Sequence, residues 1–131
     1  MRSLIDDTLS EFGLSIGMEG LALRENDSLM LDMHKLGTLA VELIGERRED
    51  VSVSLIRQIE MPDESACARL LELCHYQAPA PFPVRVGLTH LGQLVFAVRM
   101  DTYLFTLPNI HQALDWLNSL HDQSSTFVRS A

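Results

Sequence analysis

The strongest constraint on the fold is a run of alternating side chains from residue 28 to residue 59. It contains the segments SLMLDM, TLAVELIG and VSVSLIRQI, which are joined by the turn-like stretches HKLG and GERRED. Apolar residues at every second position place one face of a strand on a core and turn the other to solvent. The run predicts an antiparallel three-stranded meander with one drier face. The side chains predicted on that face are Leu29, Leu31, Met33, Leu39, Val41, Leu43, Val51, Val53 and Leu55.

Three other segments have the helical period. The first carries an apolar stripe as far as Phe12, and Gly13 is predicted to end it. The second, DESACARLLELCHY, is predicted to begin with Asp63 as its N-cap. The third is predicted to begin at Asn109, with Gln112 as its capping-box partner.

A second hairpin, VRVGLTHLGQLVFAVRMD, follows the proline-rich stretch APAPFP, which favours an extended connector. The element order is therefore α-β-β-β-α-β-β-α. It predicts an α+β fold in which the helices pack on an antiparallel sheet. A length of 131 residues fits one domain, expected at 1–122, with 123–131 as a flexible C-terminal tail. The hairpin side chains predicted on the core face are Val84, Val86, Leu94, Phe96 and Val98.

Charge and composition exclude several classes of partner. The chain has 18 acidic and 10 basic residues, a formal charge of −8, which argues against nucleic acid because phosphates bind clustered basic groups. No apolar run approaches the length of about 20 residues that spans a bilayer. The acidic, interrupted N-terminus does not resemble a signal peptide. Cys67 and Cys74 are predicted to be small buried side chains in a reducing compartment, so we expect a cytoplasmic protein.

No motif in the chain indicates catalysis. The histidines are His34, His75, His90, His111 and His121, and no two of them have the HxxxH or HxH spacing of a metal site. Neither cysteine lies in a set of metal ligands. Carboxylate pairs at 6–7 and 49–50 fall on segments expected to face solvent. GxSxG, phosphate-loop and dinucleotide-binding patterns are missing from the sequence. We therefore expect no catalytic residue, no cofactor and no metal, and a protein that is not an enzyme.

The second helix carries more apolar surface than one sheet face can cover, since its apolar positions span over half of the circumference. A monomer of this size rarely leaves a large contiguous apolar patch without a partner. A symmetric dimer through the second helix would cover this patch. The first helix and a sheet edge would then be free to bind a different protein.

The order of these segments resembles a known family. An amphipathic helix running into FGLSIGMEGLAL, followed by ENDS and SLMLDM, resembles the opening of the class I type III secretion chaperones, the Tir-chaperone family. ARLLELCHYQ is similar to the end of that family's second helix. VRVGLTHLGQLVFAVRMD, with NIHQALDWLNSL after it, resembles the family's closing hairpin and helix. The resemblance covers residues 3–121 in element order, length and acidity.

The resemblance implies a cytosolic homodimer that is not an enzyme and needs no ATP. It would bind the N-terminal segment of a secreted effector, which wraps around the dimer in extended form, docks apolar side chains in grooves and adds one short strand to a sheet edge. The residues chosen for effector contact are Leu4, Ile5, Leu9, Phe12, Leu29 and Leu31. Those chosen for the dimer interface are Leu70, Leu71, Leu73, Cys74, Val84 and Val86.

Two other functions fit the sequence. One is a regulatory partner protein of the same secretion system, with the same fold and a different bound protein. The other is a small ligand-binding or enzymatic α+β domain, whose mark would be several polar side chains converging on a cavity between sheet and helices.

Overall fold

The computed structural model of the protein describes residues 2–75 and 82–131. These residues form a five-stranded sheet in the order β1-β2-β3-β5-β4, in which every neighbouring pair is antiparallel. The predicted α+β fold and element order are confirmed, while most of the APAPFP connector lies outside the described residues. The elements are α1 (Arg2–Ser15), β1 (Ser28–Met33), β2 (Gly37–Ile44), β3 (Asp50–Gln58), α2 (Glu64–Leu73), β4 (Val84–Leu88), β5 (Gln93–Asp101), the 3₁₀-helix η1 (Thr102–Leu104) and α3 (Leu107–Ser124).

The alternation in the sequence places side chains on the sheet as predicted. In the three central strands β2, β3 and β5, the apolar side chains predicted to face inward are all buried. Edge strands have a neighbour on one side only, so their inward side chains are less well covered. Leu29 of β1 is buried. The other four inward side chains predicted on β1 and β4 are only partly buried, namely Leu31, Met33, Val84 and Val86.

Helix α3 packs across β3 and β5 and supplies much of the core. Its predicted start at Asn109 is wrong, because the helix begins at Leu107 with Thr106 as N-cap and Pro108 in its first turn. Proline suits that position, where its missing N–H has no helical partner to lose. The Asn109 side chain instead donates a hydrogen bond of 2.7 Å to the carbonyl oxygen of Leu104.

Helix α1 runs past its predicted stop at Gly13 and ends at Ser15. The helix is terminated at Gly17, whose φ of +81° turns the chain away. The Met18 N–H then donates a hydrogen bond of 2.7 Å to the Gly13 carbonyl oxygen. Gly13 has a different role from the one predicted. A Cβ at this position would lie 2.6 Å from the Met18 carbonyl oxygen, so only glycine lets the returning chain approach the helix.

The irregular segment between α1 and β1 is held against α1 by charged side chains. The Arg2 guanidinium donates to the carboxylate of Asp27 at 2.7 Å and to the carbonyl oxygen of Leu23 at 2.9 Å. The Asp6 carboxylate accepts from the Leu23 N–H at 2.8 Å. Arg2 and Asp6 of α1 therefore fix the path of the chain into β1.

The C-terminal residues 123–131, predicted as a flexible tail, are instead packed on the end of β3. Helix α3 continues to Ser124, and the side chain of Val128 is buried. The Glu60 N–H donates to the carbonyl oxygen of Arg129 at 2.9 Å. The prediction gave too little weight to the apolar pair of residues 127–128, which joins the core.

His121 of α3 is buried above the middle of the sheet. Its Nε2 lies 2.7 Å from the carbonyl oxygen of Leu55, and because a carbonyl oxygen only accepts, Nε2 carries the proton and donates. The ring meets Phe96 edge-on, with ring centroids 4.8 Å apart. His121 therefore ties α3 to two adjacent strands, β3 and β5.

Arg57 makes a second link between β3 and α3. Its guanidinium donates to Oδ1 of Asn118 at 2.6 Å and to Oδ1 of Asp122 at 3.2 Å, and its Nε donates to the carbonyl oxygen of Leu36. One side chain thus joins the β1–β2 turn, the central strand and the longest helix.

Stability should fall in mild acid because of His121. Burial lowers the pKa of His121 from 6.5 to about 4, and nearby Arg57 acts in the same direction. Below pH 6.5 the unfolded chain binds a proton at this imidazole that the folded chain does not bind. The free energy of unfolding should therefore drop between about pH 6.5 and 4, by on the order of 1 kcal/mol per pH unit.

Urea unfolding at pH 7.5, 6 and 5 measures this drop in unfolding free energy. The His121→Gln variant is the control, because the glutamine side-chain amide can donate to the Leu55 carbonyl oxygen and does not titrate. The difference in unfolding free energy between wild type and variant should narrow as the pH falls. A difference that is the same at all three pH values would contradict the assignment.

Candidate functional site

Helix α2 is the least embedded of the three α-helices in the described residues. Its predicted N-cap is confirmed, since the Asp63 carboxylate accepts from the Ala66 N–H at 2.8 Å. Only Ala66 and Leu70 of the helix are buried, and the Leu71 side chain is 67% exposed. Much of the apolar surface of α2 therefore faces away from the core of its own chain.

An apolar groove lies between α2 and the edge strand β4. Its volume is about 160 Å³, and we call it the α2/β4 groove; it is lined by Cys67, Leu70, Leu71, Val86, Gly87 and Leu88. The structure thus brings together three of the six residues predicted for the dimer interface: Leu70, Leu71 and Val86. The other three, Leu73, Cys74 and Val84, are half-buried against the core outside the groove lining. A groove without a charged side chain is suited to apolar contact rather than to catalysis.

The residues predicted for effector contact divide into two sets. The side chains of Ile5, Leu9 and Phe12 are each 1% exposed, and Leu29 is also buried, so all four are part of the core and have no surface to offer in this structure. The apolar stripe of α1 packs within the chain, where α1 meets α3 and Phe12 contacts the ring of His111.

Leu4 and Leu31 are the members of the predicted effector set that remain accessible. The Leu4 side chain is 60% exposed on the outer face of α1, and Leu31 is partly buried on the edge strand β1. The continuous effector surface expected along α1 is therefore not formed.

The outer side of β1 presents backbone groups that no other described residue pairs with. The Leu43 N–H donates to the carbonyl oxygen of Asp27, so alternate residues from Asp27 onward turn their backbone groups toward β2. The N–H and C=O groups of Met30 and Asp32 then face the free side, which we call the β1 edge. The Met30 side chain is exposed beside it, on the sheet face opposite the helices. An extended peptide could add to the sheet here.

Other accessible apolar side chains were missed by the sequence analysis. Tyr103 and Leu104 are exposed in η1, and Leu14 and Met18 are exposed at the end of α1. The alternation in β1 could have indicated Met30, which is opposite in phase to the buried residues. No periodic signal marks Tyr103, which lies in a short connector.

Polar groups gather on the open face of the sheet without forming a recognisable catalytic arrangement. A cavity of about 350 Å³ there is lined by Asp50, Arg85 and Arg99 among other residues, and Arg99 pairs with Asp50 at 2.6 Å. Among residues 2–75 and 82–131, no cluster of three His, Cys, Asp or Glu side chains could hold a metal ion. The helices of this part of the chain are also too short or too polar to cross a membrane.

Comparison with known proteins identifies the family of this chain. A family model described as type III secretory system chaperone SycN matches residues 4–125, which is most of the chain. The chain belongs to this family. The resemblance to type III secretion chaperones seen in the sequence is thereby confirmed. No curated protein matches the chain in sequence.

Solved structures share the fold. A chain of the ExsC–ExsE complex superposes with a TM-score of 0.76 at 19% identity, covering 96% of this chain and 92% of that one. The Yersinia pestis type III secretion chaperone SycH, in complex with a stable fragment of YscM2, gives 0.69 at 15% identity, covering 94% and 98%. The ExoU–SpcU complex of Pseudomonas aeruginosa gives 0.67 at 14% identity, covering 92% and 97%.

The two cysteines at α2 are free thiols in different surroundings: Cys67 lines the groove, and Cys74 is half-buried against the core. Burial raises the pKa of the Cys74 thiol from 9.0 to about 11. In a Cys67→Ser background, Cys74 should therefore react with iodoacetamide at pH 8 about tenfold to a hundredfold more slowly in the folded chain than in urea. Alkylation followed by mass spectrometry measures both rates, and equal rates would show that the thiol is not buried.

Proposed function

We propose that this protein is a cytosolic, non-enzymatic chaperone that acts as a homodimer. It binds the N-terminal segment of a type III secreted effector and keeps it competent for secretion without ATP. Family membership supports this proposal, as does the likeness to SycH, a chaperone whose structure contains a fragment of another protein. The observation that carries the proposal is surface at both edges of the sheet that the described residues leave uncovered: the α2/β4 groove on one side and the β1 edge on the other.

The α2/β4 groove is the surface that we assign to the dimer. It is apolar throughout its lining, and Leu71 projects from it while Leu70 anchors α2 to the core. In a dimer with two-fold symmetry, the α2 of each protomer would pack against the same helix and strand of its partner. Leu73, Cys74 and Val84 extend the half-buried apolar surface beside it.

The β1 edge is the surface that we assign to the effector. Its free backbone groups can pair with an extended segment, and the side chains of Met30, Leu31 and Met33 flank it with apolar surface. β1 and β4 lie at opposite edges of the sheet, so dimer formation and effector binding do not compete for the same groups. Ile5, Leu9, Phe12 and Leu29 then have a supporting role, because they hold α1 and β1 in place from within the core.

Co-expression with candidate effectors from neighbouring genes, followed by light scattering, tests the proposal. We expect a mass near twice 14.7 kDa for the protein alone and co-purification with the N-terminal segment of one effector. Co-purification with a transcriptional regulator instead would indicate the regulatory role in the same secretion system. A stable monomer that binds no protein would refute the chaperone function and favour a small-ligand pocket.

Leu71→Asp should convert the dimer to a monomer with little loss of fold. The side chain is exposed in the single chain, so a carboxylate is hydrated there, whereas a dimer contact would bury it at a cost of several kcal/mol. Leu14→Asp is the matched control, with a side chain 64% exposed at the end of α1. Light scattering gives the mass and thermal unfolding gives the stability. A dimeric Leu71→Asp protein would exclude α2 from the interface.

Met30→Pro should abolish effector binding through the β1 edge. Proline removes an N–H that faces the free side, so no hydrogen bond to β2 is lost, and proline is tolerated on edge strands. Met30→Ala is the control, since it removes the same side chain and retains the N–H. We expect at least tenfold weaker effector binding for the proline variant than for the alanine variant, measured by titration calorimetry. Equal affinities would show that the effector adds no strand here.

A further inference from the structure

A third surface lies between the outer face of α1 and the turn formed by η1. It is a cleft of about 340 Å³, which we call the α1/η1 cleft, and the lining residues that matter are Leu4, Asp7, Glu11, Thr102, Tyr103 and Phe105. The cleft is distinct from the α2/β4 groove and from the β1 edge, since neither shares a residue with it.

One wall of the cleft carries two carboxylates without partners. Asp7 and Glu11 are four residues apart and therefore lie on one face of α1. Neither forms an ion pair or a hydrogen bond with the described residues, whereas the adjacent Asp6 binds the Leu23 N–H. The wall thus presents two uncompensated negative charges on a chain with a formal charge of −8.

The opposite wall displays an aromatic ring. The Tyr103 side chain is 79% exposed, but its backbone is fixed, because its N–H donates to the Asp101 carboxylate at 2.9 Å. Asn109 holds the next residue of the turn by a hydrogen bond to the carbonyl oxygen of Leu104. The ring, carried by a turn that these hydrogen bonds hold, therefore lines the same cleft as the two carboxylates.

The floor of the cleft combines apolar surface with one polar side chain. The Phe105 side chain is buried, and Thr102 is only 7% exposed. The Thr102 hydroxyl makes no hydrogen bond with the residues that the structure describes, and its oxygen is not among the fully enclosed side-chain atoms that lack a partner. It therefore adds one accessible polar atom to the floor of the cleft.

We propose that the α1/η1 cleft binds a basic, amphipathic peptide segment. An arginine or lysine lies between the two carboxylates and the ring of Tyr103, where ion pairing and cation–π attraction act on the same cation. An apolar side chain of the segment packs on Phe105 and Leu4, and a polar group meets the Thr102 hydroxyl. The cleft reaches the size of sites that hold whole ligands, so it accommodates several side chains rather than one cation.

This inference rests on the proposed function in one respect, namely that the segment belongs to the protein that the chaperone carries. The segment is basic and amphipathic, and it is a different part of the effector from the one that binds the β1 edge. Net negative charge on the chaperone also attracts such a segment at long range, which speeds its encounter with the cleft.

Fluorescence anisotropy with two labelled peptides tests the cleft directly. Both peptides carry leucines spaced for one helix face; one has arginines at the intervening polar positions, and the other has glutamates. The arginine peptide should bind the wild-type protein and the glutamate peptide should not. Asp7→Asn/Glu11→Gln should weaken arginine-peptide binding about tenfold. Glu25→Gln/Glu46→Gln removes the same two charges from exposed sites outside the cleft and should change the affinity less than twofold.

Tyr103→Ala gives an independent measure, because it leaves the net charge unchanged and should still weaken arginine-peptide binding several-fold. Equal weakening by the two double variants would overturn the proposal, since long-range charge alone would then explain the binding. No weakening by either cleft variant would also overturn it. These outcomes are separate from the chaperone function: an effector that co-purifies equally well with the wild type and with Asp7→Asn/Glu11→Gln leaves that function standing without the cleft.

Discussion

The contact between α3 and β3 joins the longest helix to the middle strand of the sheet. Val51, Val53 and Leu55 of β3 are completely buried beneath it. His121 and Arg57 then fix the helix in one orientation through hydrogen bonds that only one register of the two elements can satisfy. Helix α1 packs on α3, and the C-terminal residues pack on the end of β3. The other elements thus take their positions from this contact.

Helix α2 lies largely outside that arrangement, and this explains where the proposed binding surfaces lie. Helix α3, with α1 packed on it, covers the drier face of the sheet and leaves β4 and α2 at its margin, where the described residues leave apolar side chains such as Leu71 exposed. The strand at the opposite margin, β1, keeps free backbone groups for the same reason. A core built mainly on the middle strands leaves both edges of the sheet available to other proteins.

Much of the fold could be predicted from the sequence because its signals are local. Alternation in VSVSLIRQI fixes which face of β3 is buried, and Asp63 marks the start of α2 through its own side-chain chemistry. The failures have tertiary causes. Gly13 looks like a helix stop until the returning chain at Met18 is seen beside it, and the terminal residues look frayed until Val128 is found in the core.

The binding surfaces were harder to predict for a related reason. Periodicity shows that a helix has an apolar stripe, but not whether the same chain or another chain covers it. The sequence predicts an apolar surface on both α1 and α2, wider on α2; Ile5, Leu9 and Phe12 are covered internally, while Leu71 is left exposed. Tyr103 gives no signal at all, because a three-residue connector is too short to have a period.

The strand order also sets a length scale. Four strand spacings of about 4.8 Å separate β1 from β4, which makes about 19 Å across each protomer. In a dimer joined on the β4 side, the two β1 edges lie about 40 Å apart or more, a span that an extended chain covers with about 12 residues. A bound protein with two docking segments can therefore reach both edges only if its linker exceeds this length. The distance between the two edges would therefore select partners by the spacing of their docking segments.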